Sequence, residues 1–143
     1  MNMIKDINNT FHIFSSENAS EEDDIRRLRN YSPIPIPDEY IDLIREKADI
    51  LIGIAENKSV LLWSARRCVE INQANNIQSY LPNSLAIADD GDGNALVYSD
   101  GRDGFGLYAV AFNDLDKDEM IFISKSLENL LVYAIGADTL MKI

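Results

Sequence analysis

A chain of 143 residues, 46% of them apolar, has enough material for one buried core, which excludes a disordered or fibrous protein. The formal charge of −11 argues against binding to nucleic acid or to an anionic membrane, because both need clustered lysine and arginine. The single cysteine, Cys68, cannot form an internal disulfide, and no apolar run has the length of a signal peptide or a bilayer span, so we expect a cytoplasmic protein.

The first residues predict an extended arm. Thr10–Phe14 has the composition of a short strand or arm. No repeat, low-complexity tract or linker divides the chain. We therefore expect a single domain over residues 1–143, with an N-terminal arm at 1–19 and a core at about 20–137.

Two helices are predicted next. Ser20 stands three residues before Asp23, which is typical of a capped helix, and we expect this helix to end near Asn30. Pro37 suits the first position of the second helix, since its ring already has the helical φ. The apolar face of that helix would comprise Ile41, Ile44 and Ala48.

Short apolar runs separated by polar turns predict strands over most of the remaining chain. The runs are residues 50–54, 60–63, 85–88, 95–99, 106–112 and 120–123. Except for residues 64–74, where a short helix is expected, the connections leave no room for helical crossovers, so the sheet is expected to be antiparallel. A final helix is predicted from Ser126, a good N-cap, to Gly136, a natural stop. The predicted class is α+β, with about 5–6 strands flanked by N-terminal helices and a C-terminal helix.

The order of several short motifs resembles that of the SUKH superfamily. Pro37-Asp38-Glu39-Tyr40 precedes a strand pair ending in Leu61-Leu62-Trp63, then Ile87-Ala88-Asp89-Asp90-Gly91-Asp92-Gly93-Asn94, and finally the closing helix Ile123-Ser124-Lys125-Ser126-Leu127-Glu128-Asn129-Leu130-Leu131. The chain departs from that pattern at residues 46–49, where family members commonly have an Asn-Gly-Gly-like turn. The resemblance implies a curved antiparallel sheet and no catalysis. It also implies a role like that of the Knr-type cell-wall assembly regulators or of the bacterial immunity proteins, which bind toxins.

Acidic residues are concentrated between residues 89 and 119, where nine acids stand against two cations, Arg102 and Lys117, for a net charge of −7. Together with Trp63, which is a contact candidate if it is partly exposed, they form the predicted partner-binding set. The acids are Asp89, Asp90, Asp92, Asp100, Asp103, Asp114, Asp116, Asp118 and Glu119. The competing interpretation is that hairpin turns favour Asp for its local hydrogen bonds. Whether the turns at 89–94 and 113–119 lie at the same end of the sheet stays open.

Metal, cofactor and catalytic sites are not predicted. Asp90-x-Asp92-x-Asn94 matches the start of an EF-hand loop, but its sixth position is Ala95 and its twelfth is Gly101. One histidine and one cysteine cannot form a recognisable zinc site. The presence of only one histidine and one cysteine also argues against a Cys-His or Ser-His catalytic site, so we expect a protein that is not an enzyme.

The sequence thus favours a monomer or weak homodimer that binds another protein, with a basic toxin domain as the expected partner. Its acidity would attract such a partner. One alternative is a regulatory scaffold for an endogenous enzyme or a cell-wall assembly factor. Another is a calcium- or small-molecule-binding domain.

Overall fold

Seven strands, joined in chain order, form one open antiparallel sheet in the computed structural model, which describes residues 2–143. The strands are β1 (Phe11–Glu17), β2 (Ala48–Ile54), β3 (Lys58–Leu62), β4 (Ser84–Asp89), β5 (Asn94–Gly101), β6 (Gly104–Ala111) and β7 (Ile121–Ser124). Each strand pairs antiparallel with the next. The predicted α+β class is therefore confirmed. One strand more than expected is present because the predicted arm or strand pairs with β2, Phe11 lying opposite Ile54.

Six helices accompany the sheet within residues 2–143. They are α1 (Glu22–Tyr31), α2 (Asp38–Glu46), α3 (Ala65–Ala74), α4 (Ile77–Tyr80), α5 (Leu127–Leu131) and α6 (Ala137–Lys142). The sequence did not predict α4 and α6, because helices of four and six residues are too short for a clear apolar period. The closing helix ends at Leu131, before the expected stop, and Gly136, with φ of +99°, instead precedes α6.

The helix starts differ from prediction in one respect that matters for packing. Ser20 does not cap α1, whose N-cap is Glu21. Instead, Ser20 Oγ accepts a hydrogen bond from the backbone N–H of Ala65, 45 residues away, which ties the start of α1 to the start of α3. Pro37 lies one position before α2, and its carbonyl accepts from the Tyr40 N–H.

The core is formed by buried residues of the sheet and of all six helices. Alternate residues of β2 and β3 point into it, and they pack with the leucines of α5 and α6 around a small cavity. Met3, Phe11 and Leu140 also belong to this core, each no more than 6% exposed. The buried core thus extends beyond residues 20–137 in both directions.

Helix α3 is attached to β4 by a fully buried side chain. Asn72 donates through Nδ2 to the carbonyls of Cys68 and Ala86, and its Oδ1 accepts from the Ala86 N–H and from Gln78 Nε2. All hydrogen-bonding groups of this amide are therefore used, which makes its burial favourable.

Because neighbouring strands are antiparallel and follow chain order, their connections alternate between the two ends of the sheet. The turns 55–57 and 90–93 and the loop 112–120 consequently lie at one end, which we call the acidic end. The β5–β6 turn lies at the opposite end. In the described part of the chain, no helix is both long and apolar enough to cross a bilayer.

Candidate protein-binding surface

The acidic end brings together two of the acid-rich segments found in the sequence. The Phe112 N–H donates to the Gly93 carbonyl at 2.9 Å, which joins the start of loop 112–120 to turn 90–93. Asn94, Asp114 and Glu119 line one shallow depression. The question that the sequence left open is thus answered: the two turns lie at the same end of the sheet.

Asp90 is an internal residue of this end and has no free surface for a partner. Its side chain is 3% exposed and forms a salt bridge of 2.7 Å with Lys58, which is itself 9% exposed. Asp90 Oδ1 accepts from the N–H groups of Asp92 and Asn94, and Oδ2 also accepts from Asn94 Nδ2. Burial raises the pKa of Asp90, but these hydrogen bonds, with Lys58 first among them, outweigh burial and lower the pKa below its usual value.

The contacts of Asp90 also describe the segment with EF-hand-like spacing, Asp90-x-Asp92-x-Asn94. Both of its carboxylate oxygens already accept from N–H donors, and one is neutralised by an ammonium group. No group of three or more His, Cys, Asp or Glu residues within 2–143 could hold a metal ion. The segment with EF-hand-like spacing forms a hydrogen-bonded turn.

Trp63 and Asp89 form a second internal pair. Trp63 is fully buried, and its Nε1 donates to Asp89 Oδ2 at 2.7 Å. The other oxygen of Asp89 accepts from the Gly91 N–H. Trp63 was a contact candidate only if it were partly exposed, and this condition is not met. Asp89 serves mainly to anchor the indole and the turn.

Seven of the nine predicted acids remain exposed. They are Asp92, Asp100, Asp103, Asp114, Asp116, Asp118 and Glu119. Asp92 belongs to the turn 90–93, and the other four that lie at the acidic end, Asp114, Asp116, Asp118 and Glu119, belong to the loop 112–120. Lys117 is the only Lys or Arg in these two segments. Glu56, which the sequence did not single out, is exposed in the neighbouring turn 55–57. This end of the sheet therefore presents acidic side chains with little compensation.

Asp100 and Asp103 flank the β5–β6 turn at the opposite end of the sheet. The structure separates them from Asp92 and Asp114, so the predicted set does not form one patch. Loop 112–120 is long enough to reach back, however, and Asp100 and Asp118 line the same groove.

Six of the seven arginines lie on helices, and four of these six form salt bridges with acids. Arg26 contacts Asp23, Arg45 contacts Glu22 and Arg67 contacts Asp49. All three arginines are at least 45% exposed, so these pairs contribute little to stability. They do cancel charge locally.

A third group of acids lies around a cavity of about 190 Å³ between α2 and the start of α5. Its acids are Glu39, Asp42, Glu46 and Glu128. Glu39 accepts from the Tyr98 hydroxyl and from the backbone N–H groups of Leu127 and Glu128. It therefore caps α5 from α2, a role that only the tertiary structure reveals.

The two residues considered for catalysis, Cys68 and His12, lie on different elements, α3 and β1. Cys68 is fully buried, and burial raises the pKa of its thiol to about 12, so the thiol stays protonated near neutral pH. His12 lies on the edge strand β1, where its ring contacts Phe14 with centroids 4.4 Å apart.

Comparison with known families gives one match. The model of the SMI1 / KNR4 family (SUKH-1) matches residues 19–132, well over half of the chain, and this range runs from just before α1 to the end of α5. A search of curated proteins finds no significant match. The match confirms the resemblance drawn from motif order.

Proposed function

The chain belongs to the SMI1 / KNR4 family (SUKH-1), and on this premise we propose that it is a non-catalytic protein-binding domain that neutralises a basic toxin by direct contact. The observation that carries the proposal is the acidic end. There, exposed carboxylates of loop 112–120 and turns 55–57 and 90–93 face solvent beside a single loop lysine, Lys117.

The physical argument concerns electrostatic attraction. A surface of one sign raises the association rate of an oppositely charged protein by about 10- to 1,000-fold at low salt. A nuclease toxin must present a basic cleft to hold phosphates, and the acidic end offers that cleft carboxylates in their place. The rigid attachment of the loops favours this role, since the Lys58–Asp90 pair and the Trp63–Asp89 bond hold the turn 90–93 in one shape before binding.

The test is a binding measurement between the full chain and a toxin-like protein encoded beside its gene. The variant of interest removes four charges at the acidic end without changing side-chain size: Asp92→Asn, Asp114→Asn, Asp116→Asn and Glu119→Gln. We expect association to slow by about tenfold at low salt, and we expect this difference to shrink at high salt because ions screen the charges.

A matched control removes four exposed charges elsewhere: Asp6→Asn, Glu17→Gln, Glu21→Gln and Glu70→Gln. Both variants have the same net charge, so a general effect of charge would slow them equally. Equal rates for the two variants would refute the acidic end as the contact surface. No binding to the toxin at any salt concentration would refute neutralisation and favour an endogenous partner.

A further inference from the structure

A groove of about 470 Å³ lies beside the β5–β6 turn, and loop 112–120 reaches it from the acidic end. One wall is the connection between α4 and β4, and the other is the second half of loop 112–120. Its lining consists of Leu81, Pro82, Asn83, Ser84, Ser99, Asp100, Gly101, Arg102, Lys117, Asp118 and Met120. A volume of this size falls in the range of ligand-binding clefts, which is about 300–1,000 Å³.

The α4–β4 wall belongs to the longest uncharged stretch of the chain. Residues 71–88 contain no Asp, Glu, Lys or Arg, although the protein as a whole carries a charge of −11. Tyr80, at the end of α4 and next to Leu81, is 61% exposed. Interface centres are typically depleted of charge and enriched in tyrosine, so this wall has the composition of a contact surface.

The opposite side of the groove carries two acidic and two basic residues, so its net charge is zero. Asp100 and Asp118 are balanced by Arg102 and Lys117. The groove as a whole therefore offers no net electrostatic attraction to a charged ligand, whereas the acidic end attracts a basic one. The balance favours an uncharged occupant.

The floor offers a hydrogen-bond donor. The Ser84 and Ser99 hydroxyls share one hydrogen bond of 2.7 Å, so one of the two hydroxyl hydrogens is left for another acceptor. Ser84 and Ser99 are 2% and 4% exposed, and neither hydroxyl makes another hydrogen bond within residues 2–143. A buried donor without an acceptor is unfavourable, and a peptide carbonyl entering the groove would supply the acceptor.

We propose that this groove binds an uncharged, extended segment of the protein partner. A carbonyl of that segment accepts the remaining hydroxyl hydrogen of the Ser84–Ser99 pair, and an apolar side chain packs against Leu81 and Met120. The inference rests on the proposed protein-binding function and adds to it a second contact. Loop 112–120 connects the two surfaces, since Glu119 faces the acidic end while Lys117 and Asp118 line the groove.

A random peptide library displayed on phage and selected on the full chain tests the groove without a known partner. Asn83→Trp places a large ring at the exposed rim and should block the groove. Gln73→Trp adds the same ring to the exposed side of α3, within the same uncharged stretch, as the matched control. We expect the selected peptides to be poor in Lys and Arg and to lose at least about tenfold in affinity to the N83W variant only.

Two results would overturn the proposal. One is that no peptide is selected whose binding N83W weakens. The other is that the selected peptides are rich in Lys and Arg and lose binding when Asp92 and Asp114 are changed to Asn, which would make the acidic end the sole contact.

The same variants separate this inference from the proposed function. If the toxin binds N83W as tightly as the unaltered chain, the groove is refuted while neutralisation stands. If the toxin does not bind at all, neutralisation is refuted and the peptide selection still decides the groove.

Discussion

Replacing Asp90 by Asn tests whether this residue is structural rather than a partner contact. The amide keeps the size of the side chain, and its oxygen can still accept from the Asp92 and Asn94 N–H groups. It loses the charge that faces Lys58, whose side chain is 9% exposed, and it places an NH₂ group against two donors. Removing one partner of a buried ion pair costs about 3–5 kcal/mol.

We take about 3 kcal/mol for this change, because two of the four hydrogen bonds survive. For a chain of 143 residues, the unfolding entropy of about 2.1 cal/mol/K per residue converts this loss into a fall in Tm of about 10 °C. Urea unfolding followed by circular dichroism would measure the free energy of unfolding directly.

The control is Asp92→Asn, two residues away and exposed, which should change the free energy of unfolding by less than about 0.5 kcal/mol. The double variant Lys58→Met with Asp90→Asn should recover most of the loss, since no unpaired charge is left buried. A loss below about 1 kcal/mol for D90N, or strictly additive effects in the double variant, would refute this account of the pair.

Three further predictions concern stability and spectroscopy. The penalty of D90N should be largest above about pH 4 and shrink as pH falls, because a lowered pKa gives stability that is lost on protonation; a pH series of unfolding curves checks this. Gly136→Ala should lower the free energy of unfolding by at least about 2 kcal/mol, since the φ of Gly136 is +99° and a Cβ there would collide with a carbonyl of β7. Gly91→Ala, at φ +74° with open space around it, should lower it by about 1 kcal/mol. Chemical unfolding of the two variants compares these losses. The emission of Trp63, the only tryptophan, should be blue-shifted and resist acrylamide until the chain unfolds, and quenching in the native state would contradict its burial.

Much of the fold is predictable because it depends on neighbours in the sequence. Alternating apolar residues, short polar turns and the proline before α2 act within a few positions, so strand order, antiparallel pairing and helices α1 to α3 follow from local chemistry. The ends of helices were less predictable. The residues that close α5 and begin α6 adopt positive φ at Ala134 and Gly136, a choice made by packing against β7.

The candidate surface was only partly predictable. Composition identified the acid-rich segments and motif order identified the family resemblance, and both depend only on the identity and order of residues. It did not identify the groove, although the absence of charge from residues 71–88 was a usable signal.

The sequence by itself determined the α+β class, the net charge and the family to which the chain belongs. Only the tertiary structure decided which acids are exposed. Asp90 and Asp92 are two residues apart and chemically identical, yet Asp90 is buried and paired with Lys58, 32 positions earlier on the neighbouring strand β3, while Asp92 faces solvent. Exposure and pairing are set by contacts between distant segments, and such contacts exist only once the chain has folded.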